Sequence, residues 1–353
     1  MLNNNPDNLR NKEIDLLRAY AVLCVWILHC CLLVNSGFGY DIPIKDYINL
    51  ETGVDIFFVI SGYVVSDSLY RISLSTDMIF FVFIKKRIKR LWLAASFWLL
   101  ICLVLGLLLQ GTSDWPVPSR LMQQFLSGLV YLFNFQEFMR PTALGYFWSL
   151  SVEFQFYLLL PALFLLSKTV RSFAFLVLLV IGCFSRAGGD TWWMFRYDGI
   201  LVGIMVWDFR KEISAVFKKT NEKFLKLFFI SIFALILTIE LKIDYFFVGK
   251  VLVALLAGLL VGLAATQRGA VYGFGLNEVI NWIGLRSYSI YLAHIPMSML
   301  LISIFQNYHL SNLLVFIILE IFIVLISSEL SYRYLECYKW PVRAKKEQAA
   351  ITH

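Results

Sequence analysis

Charge is scarce in this sequence. Of its 353 residues, 16% are Asp, Glu, Lys or Arg and 59% are hydrophobic. A soluble chain of this length could not hide that much apolar surface, and many apolar runs approach the roughly 20 residues that cross a bilayer. The alternation expected of strands is missing, which argues against an outer-membrane barrel. Histidine is rare, with four in all. No His-x-x-x-His or Cys-x-x-Cys pair is present, so a zinc site has no support and no metal is expected. There is no glycine-rich nucleotide loop and no G-x-S-x-G elbow. The N-terminus, MLNNNPDNLRNKEID, lacks the layout of a cleaved signal peptide, so the first span is expected to remain. Most of the six cysteines lie in or beside apolar runs and serve there as small apolar residues, not as a disulfide framework.

What is present reads as an all-α, polytopic integral membrane helical bundle. Apolar stretches cover Leu16–Leu33, Gly53–Tyr70, Leu91–Leu109, Phe147–Ser167, Ser172–Phe184, Met194–Phe209, Phe228–Leu241, Val248–Ala265, Tyr288–Phe305 and Leu313–Tyr334. That is about ten transmembrane helices. Gln123–Phe135 is short and weakly apolar, and reads as one re-entrant or interfacial segment. With it left out, Lys45, Arg120, Arg140, Arg186, Arg196, Lys242 and Lys250 fall on one side, leaving 24 of the 31 Lys and Arg on the side of both termini. That bias places both termini in the cytoplasm. It also removes the net charge of +7 as an argument for nucleic-acid binding. One membrane domain is expected over residues 14–336, between a cytoplasmic tail at 1–13 and a basic one at 337–353.

Ionisable residues inside spans are functional candidates. In EIDLLRAYAVLCVWILH, Arg18 and His29 are eleven residues apart. At roughly 100° per residue they share a helix face, about 16 Å apart along the axis. A histidine there can act as general base or simply bond one helix to another. Asp15 reads as a helix-start carboxylate. Asp55, in the first turn of the second span, either stabilises that helix start or orients the His29 imidazole. KKRIKR at 85–90 is a topology signal or a phosphate clamp. Arg87 and Arg90 share a face beside Lys86, and a phosphorylated acyl carrier such as coenzyme A would fit them. Glu153 and Gln155 sit at the outer mouth of a span, and Glu153 shares a face with Tyr157. In RYDGILVG, Arg196 and Asp198 read as a local ion pair, and Gly199 and Gly203 as close helix packing. Ser287, Tyr291 and His294 form a polar stripe that lines a cavity or binds helices together.

Taken in order, these blocks resemble the acyltransferase-3 family of integral-membrane acyltransferases. Arg18 and His29 match its Arg, ten residues, His hallmark, GVDIFFVISGYVVS its second-span motif, and Arg87 and Arg90 its R-x-x-R. FWSLSVEFQFYLLLP, RYDGILVG, SYSIYLAHIP and SYRYLE follow in the expected order, so the resemblance runs from about Glu13 to Glu336. The sequence departs from the family at Leu16 or Leu17, where glycine is common, and at Trp92 or Leu93 and Cys337 or Tyr338, where proline is. These are helix-geometry positions and carry no chemistry. The chain resembles the standalone members, without an SGNH-type hydrolase-like domain.

The resemblance implies a membrane-bound O-acyltransferase in a bacterial inner membrane. It would move an acyl group, most often acetyl from acetyl-CoA, to a sugar hydroxyl of a surface polysaccharide, lipopolysaccharide or lipid-linked glycan. On that reading Arg87, Arg90 and Lys86 hold the acyl-CoA. His29, Arg18 and Glu153 are catalytic, and Asp55, Tyr157, Tyr291 and His294 face the acceptor. Its partners are acyl-CoA, the glycan and the bilayer, and a homo-oligomer is compatible with it. The competing reading from the residues alone is a transporter or flippase of a sugar or lipid-linked glycan. Against it stands the lack of a paired repeat of broken helices.

Overall fold

The computed structural model describes residues 11–73, 78–110, 115–136, 143–185, 196–239, 246–271 and 275–337. Among these residues every regular element is helical. In chain order they are α1 (Lys12–Phe38), α2 (Thr52–Ser73), α3 (Ile79–Leu108), α4 (Pro118–Leu129), α5 (Phe147–Leu163), α6 (Lys168–Ser185) and α7 (Asp198–Asp208). Then follow α8 (Arg210–Phe217), α9 (Glu222–Ile239), α10 (Phe246–Ala265), α11 (Asn277–Leu285), α12 (Ser287–Asn307) and α13 (Leu313–Ser331), the last running into a π-helical turn at Tyr332–Glu336.

Each of the ten apolar stretches overlaps a helix among the described residues. Five helices are long and apolar enough to cross a membrane: α1, α2, α3, α12 and α13 with its π turn. Large apolar side chains stay exposed on their outer faces, among them Phe322 and Leu314 on α13. Such a surface is that of a protein solvated by lipid.

Several boundaries differ from the sequence reading. α1 begins at Lys12, because Asn11 caps it by accepting from the backbone N–H groups of Glu13 and Ile14 at 3.0 and 3.2 Å. Glu13 is buried and accepts from the N–H of Gly269 and Val271, so residues 11–13 belong to the bundle and not to a tail. Residues 1–10 and 338–353, the rest of both expected tails, lie outside the described residues. The basic run 85–90 is not a loop. It is an early part of α3, which carries it continuously into the apolar stretch. The return stretch Met194–Phe209 is helical only over the 11 residues of α7, about 16 Å of rise, with Met194 and Phe195 outside the described residues. Part of the basic region 210–226 folds as α8 and the start of α9. The segment read as non-spanning overlaps α4, a 12-residue amphipathic helix that begins before it at Pro118. At about 18 Å it is too short to cross.

Close backbone approach sets the packing of α2 on α7. A Cβ at Gly203 would run into the carbonyl oxygen of Val59, and one at Gly62 into that of Ile200. The glycines therefore serve helix packing, as their spacing suggests. Gly284 on α11 meets the backbone of Asp15 in the same way. Pro296 inside α12 has no N–H to give the Leu292 carbonyl, and the Tyr146 hydroxyl donates to that oxygen instead, at 2.8 Å.

Candidate functional site

A cavity of about 110 Å³ lies among α1, α2, α3, α5, α12 and the π turn. It continues into a wider vestibule of about 670 Å³ beside the N-terminal end of α1. Arg18, Arg87, Arg90 and Glu336 line both spaces, and Lys86 lines the vestibule. Three cations from two helices thus converge where the cavity meets the vestibule. The 3.6-residue period puts Arg87 and Arg90 on one face of α3, and Arg18 comes from the first turns of α1.

Their settings differ. Arg87 is buried, and its guanidinium carbon lies 5.3 Å from the Phe83 ring and 5.7 Å from the Tyr157 ring. Its Nε is buried with no hydrogen-bond partner among the described residues. A buried donor left in that state suits an anionic ligand. Arg90 is exposed. Arg18 donates to Asp15 at 3.0 Å.

The opposite wall is acidic and hydroxylic. Glu153 accepts from both Ser61 Oγ and the Tyr157 hydroxyl, and those two hydroxyls are 2.7 Å apart. All three residues line the cavity together with Arg87. The sequence reading put Glu153 at the far mouth of the span it shares with Tyr157, away from the arginines. In the fold they face the arginines, because the second and third turns of α5 lie across the cavity from α3. Gln155 points elsewhere. Its Nε2 donates to the Tyr131 carbonyl and to Asn134 Oδ1, both at 2.7 Å, and so pins the segment after α4 to α5.

Tyr291 and Ser287 also line the cavity. The Tyr291 hydroxyl is 2.6 Å from Ser149 Oγ and 2.9 Å from the Tyr146 carbonyl oxygen. One helical turn on, His294 leaves the cavity and meets α1, where its Nε2 is 2.9 Å from His29 Nδ1. The polar stripe on α12 therefore does both things its spacing allowed: two members line the cavity and the third joins helices. Neither histidine lines the cavity. They lie behind Tyr291, whose ring centroid is 5.6 Å from that of His294. His29 is half-buried and His294 buried.

Asp55 corrects one expectation. It makes no hydrogen bond to His29. Its carboxylate takes the guanidinium of Arg196, and both side chains are buried. A carboxylate this deep needs a cation beside it, and the glycine-mediated contact of α2 with α7 delivers one. Arg196 accordingly pairs across helices with Asp55, and it also feels the charge of Asp198, the local partner that the sequence suggested.

Glu320 was missed. It is buried on α13 and accepts from Trp26 Nε1 at 2.7 Å and Ser298 Oγ at 2.8 Å. A carboxylate in the middle of the last apolar run, with no other charge within eight residues, was the available signal. Glu336, which ends the SYRYLE block, accepts from Ser289 Oγ and reaches both cavity and vestibule. Among the described residues no group of three or more His, Cys, Asp or Glu side chains is placed to hold a metal ion.

Comparison with known proteins agrees with this layout. The sequence profile described as "Acyltransferase domain" (Acyl_transf_3) matches residues 11–331. The chain is 28% identical over 375 residues to "O-acetyltransferase OatA" of Staphylococcus aureus (strain NCTC 8325 / PS 47), covering 94% of this chain and 57% of OatA. It is 26% identical over 363 residues to "Putative peptidoglycan O-acetyltransferase YrhL" of Bacillus subtilis (strain 168), covering 92% of this chain and 54% of YrhL. The chain thus spans a little over half the length of these relatives. No solved structure matches it.

Proposed function

This chain belongs to the acyltransferase-3 family, and from that premise we propose that it is a membrane O-acetyltransferase taking acetyl from acetyl-CoA to a sugar hydroxyl of a surface polysaccharide, lipopolysaccharide or lipid-linked glycan. The observation that carries this reading is the convergence of Arg18, Arg87 and Arg90 on one cavity that faces Glu153, Tyr157 and Tyr291. Guanidinium groups recognise phosphates by paired, charge-assisted hydrogen bonds. The vestibule, with Lys86, Arg87 and Arg90 on its wall, suits the phosphorylated end of the donor. The narrower cavity suits the arm of the donor, which leads the thioester past Tyr291 toward His29.

In this reading the vestibule opens to the cytoplasm, in an inner membrane crossed about ten times, and the Lys and Arg bias of the loops supports it. His29 lies further along α1 than Arg18, beyond Tyr291, and meets the acceptor there. The sugar hydroxyl attacks the thioester carbonyl. The new C–O ester bond forms as the C–S bond breaks, and His29 carries the hydroxyl proton to the departing thiolate. Glu153 fixes the hydroxyls of Ser61 and Tyr157 next to the arginines. The acceptor class follows the family resemblance, and one relative's name specifies peptidoglycan, a further cell-surface glycan.

The test is radiolabelled acetyl transfer in membranes containing the parent protein or a correctly inserted His29→Ala variant, with mass spectrometry of the surface glycan from cells with and without the gene. Loss of the ester at unchanged glycan amount is the expected result. Loss of the glycan itself would support export in its place.

A further inference from the structure

The two histidines are joined in a chain of hydrogen bonds with one direction. His294 Nδ1 lies 3.2 Å from the carbonyl oxygen of Ile290. A carbonyl only accepts, so this nitrogen carries hydrogen. In a neutral imidazole the other nitrogen, Nε2, then presents a lone pair. That lone pair faces His29 Nδ1 at 2.9 Å, so His29 Nδ1 carries hydrogen as well. The remaining nitrogen of His29, Nε2, keeps its lone pair. The reversed neutral arrangement would set the His294 Nδ1 lone pair against the Ile290 oxygen, with no hydrogen between two acceptors.

We infer that His294 is a positioning residue that holds His29 in its Nδ1–H tautomer and so makes His29 Nε2 the basic atom. This departs from the acceptor-binding role that the sequence suggests for His294. It rests on the reading of His29 as the base.

The surroundings hold the pair in place. The rings of Tyr146 and Tyr291 lie with centroids 5.5 and 5.6 Å from that of His294. Ser298 Oγ lies 2.7 Å from the His294 carbonyl oxygen and 2.8 Å from Glu320 Oε1, and its one hydrogen is shared between them. The nearby carboxylate, Glu320, also accepts from Trp26, and it makes no hydrogen bond to either imidazole. The orienting groups for His29 are therefore a neutral imidazole and the Val25 carbonyl one turn back on α1, where an acid-base histidine is often oriented by a carboxylate. When His29 Nε2 takes the proton of the attacking hydroxyl, its Nδ1–H stays bonded to His294. The proton then passes from Nε2 to the thiolate sulfur, and both rings return to their starting state.

The experiment uses the full chain in lipid nanodiscs with 15N-labelled histidine, assigned with His29→Gln. The expected spectrum at neutral pH shows His29 protonated at Nδ1 and bare at Nε2. His294→Phe keeps a planar ring of similar size but offers no acceptor. It is expected to move His29 toward the Nε2–H tautomer and to lower kcat about 100-fold, the scale of a lost proton transfer, with the KM for acetyl-CoA unchanged. His294→Gln has an amide oxygen that can accept the Nδ1–H, and should return most of the rate. An Nε2–H tautomer in the parent protein overturns the proposal, as do equal rates in the Phe and Gln variants. If the Phe variant does not fold, the parent spectrum and the Gln variant decide. Full transfer by His29→Ala would overturn the catalytic reading yet leave the tautomer measurement standing.

Discussion

Arg196, two residues before α7, is paired with Asp55 in the first turn of α2, and the two side chains are 3% and 0% exposed. The Trp148 ring centroid lies 5.4 Å from the Arg196 guanidinium carbon, so an indole covers the pair. Breaking a buried pair by removing one member leaves the other charge uncompensated, at about 3–5 kcal/mol. Asp55→Ala and Arg196→Ala should each cost that much, read as a large drop in the thermal midpoint of detergent-solubilised protein. The double variant Asp55→Leu, Arg196→Met should recover much of the loss. If the double variant is as unstable as the sum of the singles, the pair is not coupled.

Gly284 ties this packing logic to the cavity. An added Cβ would press on the Asp15 backbone, and Asp15 holds Arg18 at 3.0 Å. Gly284→Ala should cost about 1–3 kcal/mol through overpacking. It should also raise the KM for acetyl-CoA about 10-fold by moving Arg18, since small displacements of positioning groups are felt strongly. Gly203→Ala presses on Val59, in the α2–α7 contact, and Gly203 does not line the cavity. It should lose stability with less effect on KM. Parallel melting curves and initial rates separate the two.

Periodicity made parts of this site legible. The eleven-residue spacing put Arg18 and His29 on the inward face of α1, and both turn inward. The spacing of Ser287, Tyr291 and His294 marked a stripe that does meet the cavity and α1. Partners were not legible. His29 and His294 are 265 residues apart, and Asp55 and Arg196 are 141 apart. A helical repeat says which way a side chain points but not which helix lies opposite. The imidazole–carboxylate pair expected from chemistry thus became two different pairs. The same gap set Glu153 at the wrong end, since the height of α5 against α3 follows from packing. α8 and α11 escaped notice because helices of eight and nine residues have little periodicity to read.

Arg87 and Arg90 should separate by salt and by chemistry. Each charged hydrogen bond to a phosphate is worth about 1.5–3 kcal/mol, so loss of either side chain should raise the donor KM about 10- to 100-fold. Arg90 is exposed and screened, so the effect of Arg90→Ala should shrink as ionic strength rises. Arg87 is buried against two rings, and the effect of Arg87→Ala should persist. Arg87→Lys should behave nearly as badly as Ala, because an ammonium gives neither the planar stack nor the fork. Steady-state KM values at low and high salt test this. Equal salt dependence at both positions would remove the distinction between an inner and an outer cation.

Glu153 offers a test of what the acidic wall does. Its carboxylate receives two hydroxyls, from Ser61 and Tyr157. Glu153→Gln keeps the shape, and the hydroxyls can turn to accept from the new amide. The fold should therefore hold to within about 1 kcal/mol. The negative charge beside Arg87 is lost. If the carboxylate acts on the reacting groups, kcat should fall about 100-fold with the donor KM little changed. Tyr157→Phe leaves Ser61 still bonded to the carboxylate and should lower kcat less, about 10-fold. A change confined to KM in both variants would show instead that Glu153 only sets the position of Arg87, because uniform loss of ground-state and transition-state binding leaves kcat alone.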